Sequence, residues 1–132
     1  LATTAEIYRE SGDTSGVRSL AFTPDGKILA WGDFAWPFRV HLSDTTRRRE
    51  TLRLNGHRGT VQSLAFASRG NILASGGADG LVRLWDNTGA CLLTIDIGPE
   101  QVNSIAFSPD STFVATAGSS GSILLWKLPP LR

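Results

Sequence analysis

The sequence predicts an all-β chain of short antiparallel strands grouped in fours, and three observations carry that prediction. The first is a succession of strand-length apolar runs rich in β-forming residues, each followed by turn residues. Val61, Leu64 and Phe66 precede Ala67-Ser68-Arg69-Gly70, Ile72 to Ala74 precede the glycine-rich stretch 76–80, and Leu81 to Trp85 precede Asp86-Asn87-Thr88-Gly89. The second is that no segment between these turns is long enough for a helix. The third is repetition: Ser19-Leu20-Ala21-Phe22, Ser63-Leu64-Ala65-Phe66 and Ser104-Ile105-Ala106-Phe107 are near-copies. The first two copies are offset by 44 residues and the next two by 41, and their last apolar runs end at His41, Trp85 and Trp126.

Taken in order, residues 1–10 alternate around Ile7 and Tyr8 and read as one short strand, with a turn at 11–16. The first copy spans 17–54, with strands at 17–22, 27–31, 38–42 and 51–54. Its first turn, Thr23-Pro24-Asp25-Gly26, has Pro and Gly where a tight reversal wants them. The second copy spans 60–95, with strands at 60–66, 71–75, 81–85 and 91–95. The third spans 102–127, with strands at 102–107, 112–116 and 122–127, and lacks a fourth. The strand at 1–10 stands in a fourth-strand position ahead of the first copy, so it can complete the unit begun at Val102.

A period in the low forties, four strands per unit and the signature Gly56-His57…Trp85-Asp86 mark a propeller blade. On these residues the sequence resembles the WD-repeat (WD40-like) β-propeller family over nearly the whole chain. The resemblance implies a single propeller domain over 1–132 with three four-stranded blades. It implies that an outer strand from the N-terminus closes on the C-terminal three, and that the function is a non-catalytic protein–protein interaction scaffold. It further implies a hydrogen-bonded tetrad at His57, Ser75, Asp79 and Trp85. Asp79 can accept from His57, His57 can bond Ser75, and Ser75 can accept from the Trp85 indole, which satisfies four polar groups at a sheet end. The third copy offers Gly98, Thr116, Ser120 and Trp126, which leaves only a Thr116–Trp126 pair. The first offers Asp13, Trp31, Ala35 and His41, which is no tetrad, so low intrinsic stability is expected.

A Ser, a His and an Asp also spell a hydrolase triad. Here the nucleophile would be locked on a strand beneath an indole, with no oxyanion hole visible, so no catalytic residue is assigned and no enzyme is expected. A small-ligand binder or enzyme at the channel mouth would need paired carboxylates or a free His; His57 is accounted for and His41 stands alone. No cofactor or metal is expected: two His and one Cys lack ligand spacing, and the glycines at 76–80 precede a strand, not a helix.

The chain has 132 residues and a net charge of +1, so whole-chain electrostatics argue for neither nucleic acid nor a membrane surface. No apolar run approaches the roughly 18 residues of a membrane span, and no signal peptide opens the chain. The single cysteine, Cys91, lies in the apolar run 90–95 and is expected to be a buried thiol; a cytoplasmic location follows. The absence of Met allows a processed, excised or designed chain.

Three blades cannot close a ring, since propellers have about 4–8. Two copies that exchange residues 1–10 would form a six-bladed homodimer. The rival is a fragment, or a designed piece, of a larger propeller with its remaining blades elsewhere; the fit of the two chain ends favours the homodimer. The protein partner is unnamed by sequence, but the run Trp31-Gly32-Asp33-Phe34-Ala35-Trp36-Pro37-Phe38 is the candidate place for it. The resemblance puts this loop on the face where such propellers bind partners. Trp31 and Phe38 either pack inside or join the loop, whereas Phe34 and Trp36 are expected to form an exposed hot spot. Arg58, next to His57, is expected at the channel rim. Arg47-Arg48-Arg49 reads as a solvated hairpin offset by Asp44 and Glu50.

Overall fold

The computed structural model describes residues 3–10, 16–69 and 71–130. Its described residues form eleven strands and no helix. The first sheet runs in the order β1 (Val17–Phe22), β2 (Ile28–Asp33), β3 (Val40–Asp44) and β4 (Arg49–Leu54). The second is β5 (Val61–Phe66), β6 (Ile72–Gly77), β7 (Leu81–Asp86) and β8 (Cys91–Asp96). The third has only β9 (Val102–Phe107), β10 (Phe113–Gly118) and β11 (Ile123–Lys127), with β11 at its open edge. Every pairing is antiparallel between neighbours in sequence, the meander that turn residues between short β-rich runs dictate.

The turn chemistry repeats with the strands. Thr23 and Ser108 each donate a side-chain hydroxyl to the aspartate two residues on, Asp25 and Asp110, at 2.7 Å. Those aspartates accept the backbone N–H of Lys27 and Thr112, which closes the loop into the next strand.

Alternation along each strand gives every sheet two apolar faces, and the sheets stack on them. Ala30, Val40, Leu42 and Leu54 of the first sheet pack on Val61, Leu64, Leu73 and Trp85 of the second. On the other side of the second sheet, Ala74, Val82 and Leu84 pack on Val102, Ile105 and Val114 of the third. Glycine makes these stacks close: a Cβ on Gly32 would meet Val61, and one on Gly76 would meet Val102, each at 2.4 Å.

The structure differs from the sequence reading at three places. Residues 3–10 form no strand. A lone segment needs a ladder partner, and Ile7, Tyr8 and Glu10 instead line an apolar trough of about 820 Å³ with Val17, Leu20, Phe22 and Trp31. Residues 1 and 2, the turn at 11–15 and the tetrad position Asp13 lie outside the described residues. Cys91 is exposed, not buried, because it opens β8 at the outer margin of its sheet, where no further layer covers it.

The third difference is one of register. Ile28 faces Asp44 as Ile72 faces Asp86 and Phe113 faces Lys127. The first β2–β3 connection is therefore two residues longer than its β6–β7 counterpart. Ser43, not His41, occupies the place of Trp85 and Trp126.

Candidate functional site

Connections at one end of the three sheets meet across the molecule. The loop before β5 carries His57, which bonds Asp79 in the β6–β7 turn. Ile97 donates its N–H to the Gly80 carbonyl and Ser119 to the Gln101 carbonyl, so each inner-strand entry is tied to a neighbouring hairpin. The Phe34 N–H bonds the Gly16 carbonyl in the same way, which places the long β2–β3 loop on this face.

In the middle sheet His57, Ser75, Asp79 and Trp85 form one chain of hydrogen bonds. The Trp85 indole N–H donates to Ser75 Oγ at 2.8 Å, and Ser75 Oγ lies 2.7 Å from His57 Nε2. His57 Nδ1 lies 3.1 Å from an Asp79 oxygen, and Asp79 also accepts the backbone N–H groups of Arg58 and Leu81. Burial opposes ionisation of Asp79, but the bonds from His57 and those two amides outweigh it and hold its carboxyl below the usual range. Ser75 is fully buried under the indole, so its hydroxyl is a structural link and not an accessible nucleophile. In the third sheet Trp126 Nε1 donates to Thr116 Oγ1 at 3.1 Å, while Ser120 turns to Ser122.

The first sheet has a network of its own, which sequence reasoning missed. His41, expected to stand alone, is buried with Nε2 2.7 Å from Asp33 and Nδ1 against Glu50. Asp33 also accepts the Arg39 N–H, and Glu50 accepts two bonds from Arg53. Trp31 stacks on the His41 ring, centroids 5.0 Å apart and planes 7° from parallel. Burial raises the cost of charge on Glu50, yet Arg53 and His41 together hold its carboxyl low. Tryptophan and serine have exchanged strands: Trp31 stands where Ser75 does, and Ser43 where Trp85 does. The signal in the sequence was Asp44-Thr45-Thr46, which matches Asp86-Asn87-Thr88: in both, the aspartate accepts the N–H of the second threonine-position residue. Aligning those turns reveals the two extra residues and frees His41 from the tryptophan position.

The extra residues build the aromatic loop. Phe38, half-buried, takes a left-handed φ of 56° and bonds back to Ala35, which returns the chain to β3. Trp31 is buried, Phe34 lies at the surface, and Trp36 is 79% exposed. The Thr60 hydroxyl holds the Phe34 carbonyl at 2.5 Å, and the Arg18 guanidinium lies 5.0 Å from the centre of the Phe34 ring. Arg18, Phe34 and Thr60 are thus brought together, with Arg58 exposed in the loop that leads to Thr60.

The sequence model of the family described as WD domain, G-beta repeat matches residues 5–30, 48–86 and 89–127. The chain belongs to this family. No match is found among curated proteins. Repeats of this family serve in general as interaction scaffolds, and the two strand-margin networks of this WD-repeat chain fit that role: they lock the sheets and leave the loops free to differ. Among the described residues no group of three or more His, Cys, Asp or Glu side chains could hold a metal ion.

Proposed function

We propose that this WD-repeat chain is a non-catalytic protein-interaction scaffold that completes its ring with a second copy of itself, giving six blades. The observation that carries the reading is a mismatch of exposure between equivalent residues. Leu64 is 9% exposed beneath the first sheet, whereas its counterpart Leu20 is 65% exposed. Val82 and Leu84 are fully buried against the third sheet, whereas their counterparts Ile123 and Leu125 are 79% and 67% exposed. The two bare faces are the two halves of the interface that already joins the sheets within the chain. A twofold pair would form that contact twice and close, with no apolar face left to solvent.

The open edge of β11 asks for a fourth strand. Each family match at 48 and 89 begins just ahead of an outer strand, β4 or β8, and the first begins at residue 5. Residues 5–10 therefore hold an outer-strand place in the repeat. They lie at the trough on the first sheet, the side from which a preceding blade would approach. In the six-bladed ring they pair with β11 of the second copy.

Native mass spectrometry tests the reading. A mass of two chains is expected; a single-chain mass at micromolar concentration, or three chains, overturns it.

A further inference from the structure

We propose that residues 3–10 are a strap that covers the apolar face of their own first sheet in the single chain and must leave it before a second copy can dock. The strap deepens the six-bladed reading above, on which it rests, by adding how closure of the ring is regulated. Two places for one segment exclude each other. In the structure Ile7 and Tyr8 line the trough of about 820 Å³ with Val17, Leu20, Phe22 and Trp31. Ring closure would fill that same trough with the bare third-sheet face of a second copy, and would draw the segment away to the open edge of β11. A chain whose strap is seated is therefore closed to its partner.

The seat is a weak one. Among the described residues the segment forms no strand, and its one hydrogen bond, from Arg9 to Glu6 at 2.7 Å, stays within the segment. No ladder ties it to β1, so apolar contact holds it. Tyr8 carries most of that contact: its side chain is half-buried, whereas Ile7 is 70% exposed. The Tyr8 hydroxyl is buried without a hydrogen-bond partner, and a phenol taken from water with no bond in return opposes the seat. Paired with β11, the same residues would gain the backbone bonds they lack here, and the edge would lose its unpaired groups. The seat has the advantage of lying within one chain, so it holds at low concentration. The second copy displaces it as concentration rises, because its docking is bimolecular and the seat is not.

Tyr8 is the single tyrosine of the sequence, so it gives a site-specific probe. The test is fluorine NMR of the full chain labelled with fluorotyrosine, from low to high micromolar concentration, with each sample weighed by native mass spectrometry. In the single chain the resonance should lie away from its position in urea and be shielded from a soluble paramagnetic agent. As the two-chain mass appears, a second resonance should replace the first in proportion. Tyr8→Thr keeps a β-forming residue for the ladder but takes the ring out of the trough, so its two-chain mass should appear at about tenfold lower concentration. A Tyr8 resonance at its urea position in the single chain overturns the strap, as does one that stays unchanged while the mass doubles. A Tyr8→Thr dimer no tighter than wild type overturns it as well. Two chains with Tyr8 free of the trough at every concentration remove the strap and leave the ring. A single chain at every concentration with Tyr8 shielded removes the ring, and the exchange with it, while the seat remains.

Discussion

Ser75 is central to the middle blade because its hydroxyl links an indole and an imidazole that are both buried. Ser75→Ala strands the Trp85 N–H and leaves His57 Nε2 without its partner. The expected loss is about 1–3 kcal/mol by denaturant titration. Thr116→Val removes one bond from a half-buried indole and should cost less, so equal losses would show that the middle network is no more than its pairs. In the first blade, His41→Leu leaves Asp33 buried without its ring partner, for an expected cost of about 3 kcal/mol. A neutral result would mean that Asp33 is satisfied by the Arg39 amide alone. Acid acts on the same groups. The folded state lowers the pKa of Asp79 and Glu50, so their stabilisation is complete above the ordinary carboxylate range and is lost as pH falls below about 4. The wild-type melting temperature should drop steadily there, while Asp79→Asn starts lower and falls less. Parallel profiles would show that the Asp79–His57 pair contributes nothing to acid sensitivity.

At the scale of the element, the sheets depend on close approach. Gly76 lies where any Cβ would press Val102 and Ile105, at 2.4 and 2.9 Å. Both are buried side chains with no room to retreat, so Gly76→Ala should separate the second and third sheets and lower the melting temperature by several degrees. An unchanged melt would mean that the stack is looser than the contacts imply. Strand existence was legible from sequence because apolar runs and turn residues report local conformation. Val17–Phe22 and Val102–Phe107 were read to the residue and the other nine strands to within one or two at their ends, whereas the strand expected at 1–10 is absent over residues 3–10. What the repeat hid was the third strand of the first blade. A fixed offset puts His41 on Trp85, yet two residues inserted between β2 and β3 break the offset without breaking the hydrophobic alternation, since a shift of two keeps every side chain on its face. The Asp33–His41–Glu50 cluster was invisible for the same reason: it depends on which residues oppose one another across strands. The middle tetrad could be read because its four positions followed a family pattern. The burial expected of Cys91 failed because an apolar run on an outer strand has one face with nothing beyond it.

At the scale of the whole molecule, the proposed six-bladed ring rests on two bare faces. Val17, Leu20 and Phe22 are exposed on one side and Ile123 and Leu125 on the other, and pairing two copies through them would take both faces out of water. The closure they make need not equal the internal ones. Ala117 stands in the third sheet where Gly32 and Gly76 stand in the first two, so the contact proposed there would have to accommodate one more methyl group. Association through it should accordingly be concentration-dependent, with the exchanged strand supplying the hydrogen bonds that the stack alone lacks. Two variants separate these contributions. Deleting residues 1–10 leaves the faces intact but exposes the edge of β11, and should weaken the dimer or turn it to aggregation. Ile123→Asp with Leu125→Asp would place two carboxylates in the stack, and should reduce the mass from two chains to one while the middle tetrad stays folded, as reported by an unshifted Trp85 indole N–H resonance in the NMR spectrum. Leu92→Asp, on the outer strand of the middle sheet, is the matched control and should leave the mass at two chains. A dimer that survives Ile123→Asp with Leu125→Asp would place the contact elsewhere on the molecule; one that is lost equally with Leu92→Asp would make the association generic hydrophobic sticking and not closure of a ring.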